Sequence, residues 1–365
     1  MRSIISAIGT ASPSYRFPQS DILKFMISSH RLNERDALRL KKLYDVSGIE
    51  YRNSVIPDFD GVEKESSFFF KNGAGMFAST EERSTAYENK ACEVVIKAVN
   101  NLFEKTPAIK LPAITHLITV SCTGMYAPGL DIDLVEKLGL NYSTQRTCIN
   151  FMGCYGAFNA LKIADYICRS QPEAKVLIAD VELCTLHFQN QNTLDNWIAN
   201  SLFADGAAAV LVESESDRSS PKGFLLESFY NVLVTDARNE MGWRIGNTGY
   251  QMKLTSHIAK NIRGKIHEVS DKLLSMAKIP LQNISRFAIH PGGRRILEVC
   301  EEALNLPEEL LEDSYDILRQ FGNMSSATIL FVLQQMLAKT EEKEKVMSFA
   351  FGPGLTFESM ILQTV

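Results

Sequence analysis

Five short apolar runs, separated by stretches with helical spacing, constrain the fold of this chain more than any other feature. The runs cover residues 115–124, 174–185, 206–214, 284–293 and 344–354. Their β-branched and aliphatic residues predict strands, and their lack of polar alternation is typical of strands covered on both faces. Apolar residues recur at helical spacing in 154–170, 255–277, 294–304 and 324–339. The pattern therefore predicts an α/β protein with central sheets and outer helices.

The residues that follow three of these runs indicate an internal duplication. "AIHPGG" and "AFGPG" end two runs of the second half, and "VSCTGMYAPG" has a comparable place in the first half. A chain of 365 residues suits two domains or one large duplicated unit. The polar stretch 214–223 divides it, so we predict an N-terminal half over 1–213 and a C-terminal half over 224–365, although a surface loop within one body fits this stretch equally well. Region 52–90 is mixed, and we expect loop with short helices there.

Charge and composition disfavour several classes of partner. The chain has 38 basic and 43 acidic residues, a net charge of −5, without the basic stripe that nucleic-acid binding requires. It has no run of about 18 apolar residues, and its first apolar run is too short for a secretory signal. We therefore expect a cytoplasmic protein without membrane insertion. Seven cysteines form no CxxC pair, which predicts reduced thiols rather than disulfides or a metal site.

Cys154 is a candidate nucleophile, because it precedes the helical pattern "YGAFNALKIADYICRS". A thiol in the first turn of a helix lies near unpaired backbone N–H groups and the positive end of the helix dipole, which lower its pKa. The structural alternative is a core cysteine, and for cysteine in an apolar context that is the commoner case.

His290 and Asn323 are candidates for proton transfer and oxyanion binding. His290 ends an apolar run before Pro-Gly-Gly, where α/β proteins place ligand-binding residues, although a core or capping histidine would look the same. Asn323 follows Gly322 at a helix entrance, where it could serve as an N-cap or donate its amide to an oxyanion. Together with Cys154 they are the parts needed for thioester chemistry, but their spacing alone does not bring them together.

Five stretches carry a family resemblance: "GCYGA", "FADGAAAVLV", "AIHPGG", "GNMSSATILF" and "FGPGLTFES". In these residues, and in their order along 1–365, the chain resembles the type III polyketide synthases, the chalcone-synthase-like enzymes of the thiolase fold. The resemblance implies a duplicated five-layer αβαβα fold, a homodimer, and the catalytic triad Cys154, His290 and Asn323. It also implies an acyltransferase that uses CoA thioesters without a metal or redox cofactor.

The same resemblance implies a reaction cycle. Cys154 accepts an acyl group from a thioester starter, and His290 and Asn323 hold the carbonyl of malonyl-CoA while it loses CO₂. The enolate then attacks the acyl-cysteine in a Claisen condensation. Repeated rounds build a chain that cyclises to a pyrone, resorcinol or phloroglucinol type of product. Two alternatives remain open: a single-round β-ketoacyl synthase III-like enzyme, and a non-catalytic thiolase-fold dimer partner.

The resemblance further implies substrate-binding residues, with two departures from the family pattern. Phe203 matches a gatekeeping phenylalanine between tunnel and chamber, and Met252 stands where the second such phenylalanine is expected. His187 stands where plant members have a small hydroxyl residue, which predicts a smaller or redirected chamber and puts a chalcone-type product in doubt. The other implied pocket residues are Cys122, Thr123, Ser325, Gly352, Pro353 and Gly354.

The basic cluster that plant members use for CoA phosphates is poorly kept. Val46 and Glu50 stand where lysine or arginine is expected, and Arg52 is the clear positive charge nearby. We therefore predict Arg52 as the CoA-binding residue, and a starter carried by an acyl-carrier protein stays possible. The chain's own "EDSYDI", at 312–317, lacks the context of a phosphopantetheine site and is interpreted as a loop.

Overall fold

Strands and helices alternate along the chain in a computed structural model that describes residues 2–61, 67–71, 76–106, 109–255 and 257–365. The strands are β1 Ser3–Ala11, β2 Tyr15–Pro18, β3 Tyr51–Ser54, β4 Phe70–Lys71, β5 Met76–Phe77, β6 His116–Ser121, β7 Gln145–Asn150, β8 Val176–Leu183, β9 Asp205–Ser214, β10 Phe224–Leu233, β11 Met241–Gly246, β12 Gly249–Leu254, β13 Arg286–Ile289, β14 Lys345–Gly352 and β15 Thr356–Thr364. The helices are α1 Gln19–Ser29, α2 Glu34–Asp45, α3 Thr80–Lys105, α4 Leu130–Leu138, α5 Gly156–Ser170, α6 Leu194–Leu202, α7 Ile258–Ala277, α8 Arg294–Leu304, α9 Glu312–Phe321 and α10 Thr328–Lys339. Within these ranges no helix is long and apolar enough to cross a bilayer.

One sheet of nine strands runs in the order β13-β14-β15-β10-β1-β9-β8-β6-β7. In its first half β1 pairs antiparallel with β9, β9 antiparallel with β8, and β8 parallel with β6. The second half repeats these directions, with β10 antiparallel to β15, β15 antiparallel to β14, and β14 parallel to β13. The two halves meet where β1 pairs with β10. The strand order therefore displays an internal duplication.

Three large apolar cores lie between the layers of helices and strands in the described ranges. The first core packs α3 and α4 on one face of β6, β8 and β9, and the third packs α7 and α8 on β13, β14 and β15. The central core holds α5 and α10 between the two halves of the sheet. Side chains of β9 alternate between cores, since Ala207 and Leu211 face the first core and Ala208 and Val210 face the central one. The order of layers is therefore αβαβα.

All five predicted strands are present, as β6, β8, β9, β13 and β14, and the four predicted helices are α5, α7, α8 and α10. The last of these is preceded by a 3₁₀ turn, Ser325–Ala327. The predicted boundary 214–223 lies between β9 and β10, and the exact limits of the halves stay a prediction.

Two predictions about local structure are wrong. Region 52–90 contains strands and the start of the 26-residue α3, although its residues 62–66 and 72–75 lie outside the described ranges. The missed signal is a capping box, in which Ser79 Oγ accepts the N–H of Glu82 and the Glu82 carboxylate accepts the N–H of Ser79. Residues 312–317 belong to α9 rather than to a loop, because Ile317 and Leu318 give that helix an apolar face.

Candidate active site

Cys154 lies in the turn that leads from β7 into the central helix α5. Positive φ angles of 58° at Phe151 and 79° at Gly153 make the turn tight. At Gly156 the helix starts directly against β6, since a Cβ there would lie 2.8 Å from Val120 Cγ1. The turn therefore places the thiol inside the protein, where only 7% of Cys154 is exposed.

Neighbouring loops hold this turn from two sides. The N–H of Gly153 donates to Cys122 Sγ over 2.9 Å. A Cβ built on Gly153 would lie 2.3 Å from Pro353 Cδ, and one built on Gly352 would lie 2.4 Å from Tyr155 Cδ1. Both glycines are therefore required by the close approach of the two loops. The predicted floor residues Gly352 and Pro353 touch the turn that carries Cys154.

His290 ends β13 with its ring enclosed. Its backbone N–H donates to Phe349 O over 2.8 Å, and a Cβ on Gly292 would lie 3.6 Å from its Cδ2. Only 1% of the residue is exposed, and neither ring nitrogen has a hydrogen-bond partner among the described residues. Burial lowers the pKa of His290 to about 3, because desolvation disfavours the charged ring. The imidazole is therefore neutral at pH 7.

Asn323 is fixed by both its backbone and its side chain. Its N–H donates to Leu202 O and its carbonyl accepts the N–H of Ala204, each over 2.9 Å. Its Oδ1 accepts the N–H of Ser325 over 2.9 Å, and its Nδ2 donates to Gly292 O over 3.2 Å. A carboxamide nitrogen carries two protons, so one donor of Asn323 is left for another acceptor. The side chain therefore caps a backbone N–H of the following turn, although the N-cap residue of that turn is Met324, and the oxyanion role stays a prediction.

The three residues line one cavity of about 320 Å³. Cys154, His290 and Asn323 come from the turn before α5, the end of β13 and the loop before α10, so the fold gathers them from both halves of the chain. Phe203 and Met252 line the same cavity, and Phe203 also packs in an apolar cluster with Cys154. The prediction that these side chains share a site rested on the motifs alone, and their geometry is consistent with it.

The pKa of the Cys154 thiol is shifted in the direction opposite to the one that the sequence predicted. Burial raises the pKa of Cys154 to about 12, and hydrogen bonding by Ser325 and Asn323 opposes this rise without cancelling it. The helix dipole was expected to lower the pKa, but Cys154 precedes the N-cap Tyr155 and is enclosed, so desolvation dominates. The free cavity is therefore lined by a neutral thiol and a neutral imidazole.

Comparison with known proteins gives the family. Residues 2–216 match the family described as "Chalcone and stilbene synthases, N-terminal domain", and residues 226–365 match "Chalcone and stilbene synthases, C-terminal domain". The chain belongs to the chalcone and stilbene synthase family. It is thus a chalcone-synthase-like type III polyketide synthase with a thiolase-like fold, as the resemblance predicted.

Its relatives cover it end to end. "Alpha-pyrone synthesis polyketide synthase-like Pks18" of Mycobacterium tuberculosis is 27% identical over 368 residues, which are 100% of this chain and 91% of that protein. "Putative chalcone synthase" of Bacillus subtilis is 30% identical over 98% of both chains. The crystal structure of PKS-I from the brown alga Ectocarpus siliculosus matches with a TM-score of 0.92 and 27% identity, over 100% of this chain and 98% of that one.

His187 in this type III polyketide synthase is locked in one tautomer. Its Nε2–H donates to Thr123 O over 2.7 Å, and its Nδ1 accepts the N–H of Tyr250 over 3.0 Å. The ring stacks on Tyr250 with centroids 4.1 Å apart. Burial lowers the pKa of His187 to about 3. The imidazole is therefore rigid and neutral where it lines a small cavity with Phe203 and Met252, and a chamber-narrowing role stays a prediction.

A second, smaller cavity of about 20 Å³ adjoins the thiol. The predicted pocket residues that line it, together with Cys154 itself, are Cys122, Thr123, Phe203, Met252, Ser325 and Pro353. Gly354 lies further along the floor loop, where a Cβ would meet Leu233 Cδ1 and Thr356 Oγ1 at 2.7 Å. Of the predicted set, His187, Gly352 and Gly354 line neither of the two cavities that contain Cys154.

Arg52 does not occupy the place that the sequence predicted. The side chain is buried, with 4% of the residue exposed. Its Nε donates to Gln19 Oε1 over 2.8 Å, and its Nη1 donates to the carbonyls of Asn200 and Phe203 over 2.8 and 2.7 Å. A guanidinium held in this way fixes the backbone at Phe203 and is turned away from solvent, so the CoA-binding prediction for it is corrected.

Two groups of residues near the site were not predicted. Arg294 and Arg295 line the cavity where α8 begins, and the sequence signal for them was the pair of arginines after "HPGG". Asp180 and Glu182 are fully buried in β8, and Ser326 bridges them. Two acids in an otherwise apolar strand were a readable signal for them, because charged residues are almost never fully buried without a partner.

Proposed function

We propose that this enzyme condenses malonyl-CoA repeatedly onto an acyl-CoA starter, with Cys154 as nucleophile, His290 as proton carrier and Asn323 as oxyanion donor. The observation that carries the proposal is that these three buried side chains line one cavity. No metal or redox cofactor is part of the proposal. It includes a cytoplasmic location, where acyl-CoA thioesters are formed.

Acylation begins with proton transfer from Cys154 Sγ to the neutral ring of His290. Burial raises the pKa of the thiol and lowers that of the imidazole, so a single charge on either is costly. The transfer creates both charges together, and their mutual attraction offsets part of the desolvation cost. The thiolate attacks the carbonyl carbon of the starter, and the departing CoA thiolate takes the proton back from His290.

Decarboxylation uses His290 and Asn323 as neutral donors. The malonyl thioester oxygen accepts the remaining Nδ2–H of Asn323 and the N–H of the neutral imidazole. The C–C bond to the carboxylate breaks, its electron pair forms the enolate, and CO₂ leaves. The enolate carbon then attacks the acyl-cysteine and releases the Cys154 thiolate. Loss of one such donor typically costs about 10²- to 10³-fold in rate.

The cavity lining supports an apolar starter. The side chains that line it beyond the triad are largely aliphatic or aromatic, including Ile198, Leu254, Ile258, Ile262 and Phe351. Arg294 and Arg295 line its mouth and pair with Glu298, so they are positioned to exchange that carboxylate for CoA phosphates. These two arginines replace Arg52 in the proposal.

The product we propose is a pyrone, resorcinol or phloroglucinol type of polyketide. The printed name of the mycobacterial relative, which refers to alpha-pyrone synthesis, favours a pyrone. His187, held against Tyr250, lines a small cavity of about 40 Å³ together with Phe203 and Met252, which supports a chamber that limits chain length.

We also propose that the enzyme is a homodimer. β7 is the last strand of the nine-stranded sheet, so one of its edges has no neighbouring strand among the described residues. Most of its side chains are exposed, Cys148 among them, and Tyr142 just before it is 89% exposed. An open edge of this kind is a template for pairing with a second copy. Sedimentation analysis would give the oligomeric state.

Product analysis tests the proposed reaction. The enzyme is incubated with malonyl-CoA and a fatty acyl-CoA, and products and acyl-enzyme are identified by mass spectrometry. We expect multiply extended, cyclised products and an acyl group on Cys154. A β-ketoacyl thioester extended by only two carbons would establish the single-round alternative, and absence of both product and acyl-enzyme would establish the non-catalytic one.

Matched variants assign the roles. Cys154→Ala is expected to abolish acyl-enzyme and product, whereas Cys300→Ala, which also removes a buried thiol, leaves both unchanged. Asn323→Ala is expected to retain acylation but lose malonyl-CoA decarboxylation. If Asn323→Ala decarboxylates at the wild-type rate, its proposed role is wrong. Activity with an acyl-carrier-protein thioester but none with acyl-CoA would assign the carrier-bound starter instead.

A further inference from the structure

Two buried carboxyls lie behind the turn that carries the catalytic thiol. Asp180 and Glu182 are two residues apart in β8, so their side chains point to the same face of the sheet. Both residues are fully buried. The Oγ of Ser326, in the loop that carries Asn323, lies 2.8 Å from Asp180 Oδ1 and 2.6 Å from Glu182 Oε1. One hydroxyl group therefore bridges two carboxyls.

This arrangement requires a proton on one of the two acids. A serine hydroxyl has a single proton, so Ser326 donates to only one of them. If both acids were ionised, the other carboxylate oxygen would face the lone pairs of Ser326 Oγ at hydrogen-bond distance with no proton between them. One carboxyl is therefore neutral and donates its own proton to Ser326.

The surroundings assign that proton to Asp180. The Oε2 atom of Glu182 accepts the N–H of Cys122 over 3.0 Å and the hydroxyl of Thr123 over 2.8 Å, and such donors favour an ionised carboxylate. Asp180 Oδ2 is buried and has no hydrogen-bond partner among the described residues, which suits a neutral acid and not half of a charged one. Burial and the neighbouring Glu182 raise the pKa of Asp180 well above its usual value.

Glu182 is the member of the pair that acts on the active site. Its charge contributes to the raised pKa of Cys154, while hydrogen bonding by Ser325 opposes the rise in pKa of both groups. Asp180 lies two residues, about 6.6 Å of extended strand, further from the end of β8 that borders the site. The other titratable groups that interact with Glu182 are Tyr87, Cys122 and Cys184.

We propose that Asp180, Ser326 and Glu182 form a proton relay that moves negative charge away from Cys154 when a thiolate develops there. The O–H of Asp180 passes its proton to Ser326 Oγ, and the hydroxyl proton of Ser326 passes to Glu182 Oε1. Glu182 becomes neutral, Asp180 becomes the carboxylate, and no proton enters or leaves the protein. Asp180 and Ser326 are thus positioning residues, and the inference rests on the proposed role of Cys154 as nucleophile.

The first test is the pH dependence of Cys154 alkylation by iodoacetamide. Asp180→Asn keeps the shape and can still donate to Ser326, but it cannot release a proton or accept the charge. We expect the thiol pKa to rise by about one unit, which makes alkylation about tenfold slower at a fixed pH below it. Asp313→Asn, which removes a buried carboxyl paired with Lys339, is the matched control and should leave the profile unchanged. An unchanged profile in Asp180→Asn would overturn the relay.

The second test needs no turnover. Infrared spectra of the folded enzyme are recorded in the carbonyl-stretching region of protonated carboxylic acids. Because burial raises the pKa of Asp205 to about 7, the band of Asp180 is identified by its loss in Asp180→Asn. We expect that band to shift when aspartate is labelled with ¹³C and not when glutamate is labelled. A band that shifts only with labelled glutamate, or the absence of any such band, would refute the assignment of the proton to Asp180. Failure of the proposed polyketide reaction would appear in the product assay and would leave this band in place.

Discussion

Replacing Gly153 by alanine should distort the turn that carries Cys154. The residue has φ of 79°, and a left-handed alanine costs about 1–2 kcal/mol. The added Cβ would also lie 2.3 Å from Pro353 Cδ, and relief of such overpacking typically costs a further ~1–3 kcal/mol. The free energy of unfolding should therefore fall by roughly 2–5 kcal/mol in total.

Gly139→Ala is the matched control, because Gly139 has φ of 65° and a Cβ there would have no neighbour within 4 Å. This substitution should lower the free energy of unfolding only by the cost of the left-handed backbone, about 1–2 kcal/mol. Urea unfolding at one fixed protein concentration measures both variants. Pro353→Ala in the Gly153→Ala background should recover most of the stability that is lost through the contact with Pro353, and a double-mutant cycle measures this coupling.

The same substitution should act on catalysis. Separation of the two loops moves the thiol of Cys154, and a displacement of about 1 Å can cost on the order of 10²-fold in rate. Gly139→Ala should keep wild-type activity. Equal losses of stability in Gly153→Ala and Gly139→Ala, or no coupling with Pro353→Ala, would refute the view that the contact between the two loops positions the thiol.

Three further predictions concern other parts of the molecule. Arg52→Met should lower the free energy of unfolding by about 3–5 kcal/mol, because buried carbonyls lose their donor. The control Arg2→Met breaks an exposed pair with Glu215 and should lower the free energy of unfolding by at most about 1 kcal/mol in the same urea assay. Burial lowers the pKa of His187 to about 3, so between pH 6.5 and 3 the unfolded chain binds a proton there that the folded protein does not. As pH falls through this range, the free energy of unfolding of the wild type should therefore decrease by up to about 1.4 kcal/mol per pH unit more than that of His187→Gln. Parallel curves of stability against pH would contradict this. Cys148→Arg places a charge on the exposed face of β7, and sedimentation should detect a shift from dimer to monomer, while an intact dimer would place the interface elsewhere.

The elements that could be predicted from the sequence are those whose own residues determine them. β9 and β14 are buried over almost their whole length, so their apolar composition is sufficient to identify them. β7 was missed because "QRTCIN" is an edge strand with one neighbour, and its exposed residues carry no apolar pattern. α3 was missed because its first turns are polar, and only the capping box at Ser79 indicates where it begins.

In the candidate site too, some residues could be predicted from local motifs and others could not. Cys154 and Asn323 each follow a glycine and His290 precedes Pro-Gly-Gly, so local motifs indicate all three. The place of Arg52 could not be predicted, because its partners Gln19, Asn200 and Phe203 belong to separate segments that only the folded chain brings together. The thiol pKa was predicted in the wrong direction for a similar reason, since burial is a property of the whole fold.

Duplication of the fold explains why these particular positions converge. α5 precedes β8 and α10 precedes β14, and these two strands have the same place in the two halves. Cys154 lies in the turn before α5 and Asn323 in the loop before α10, so equivalent turns of the two halves face one cavity. Likewise β6 and β13 are equivalent, and just beyond their ends are Cys122 and His290. Each half thus contributes the same two positions, and divergence between the halves allows one turn to carry a nucleophile and the other a neutral oxyanion donor. Chemistry that needs both groups on one thioester carbonyl can therefore arise from two copies of a single structural unit.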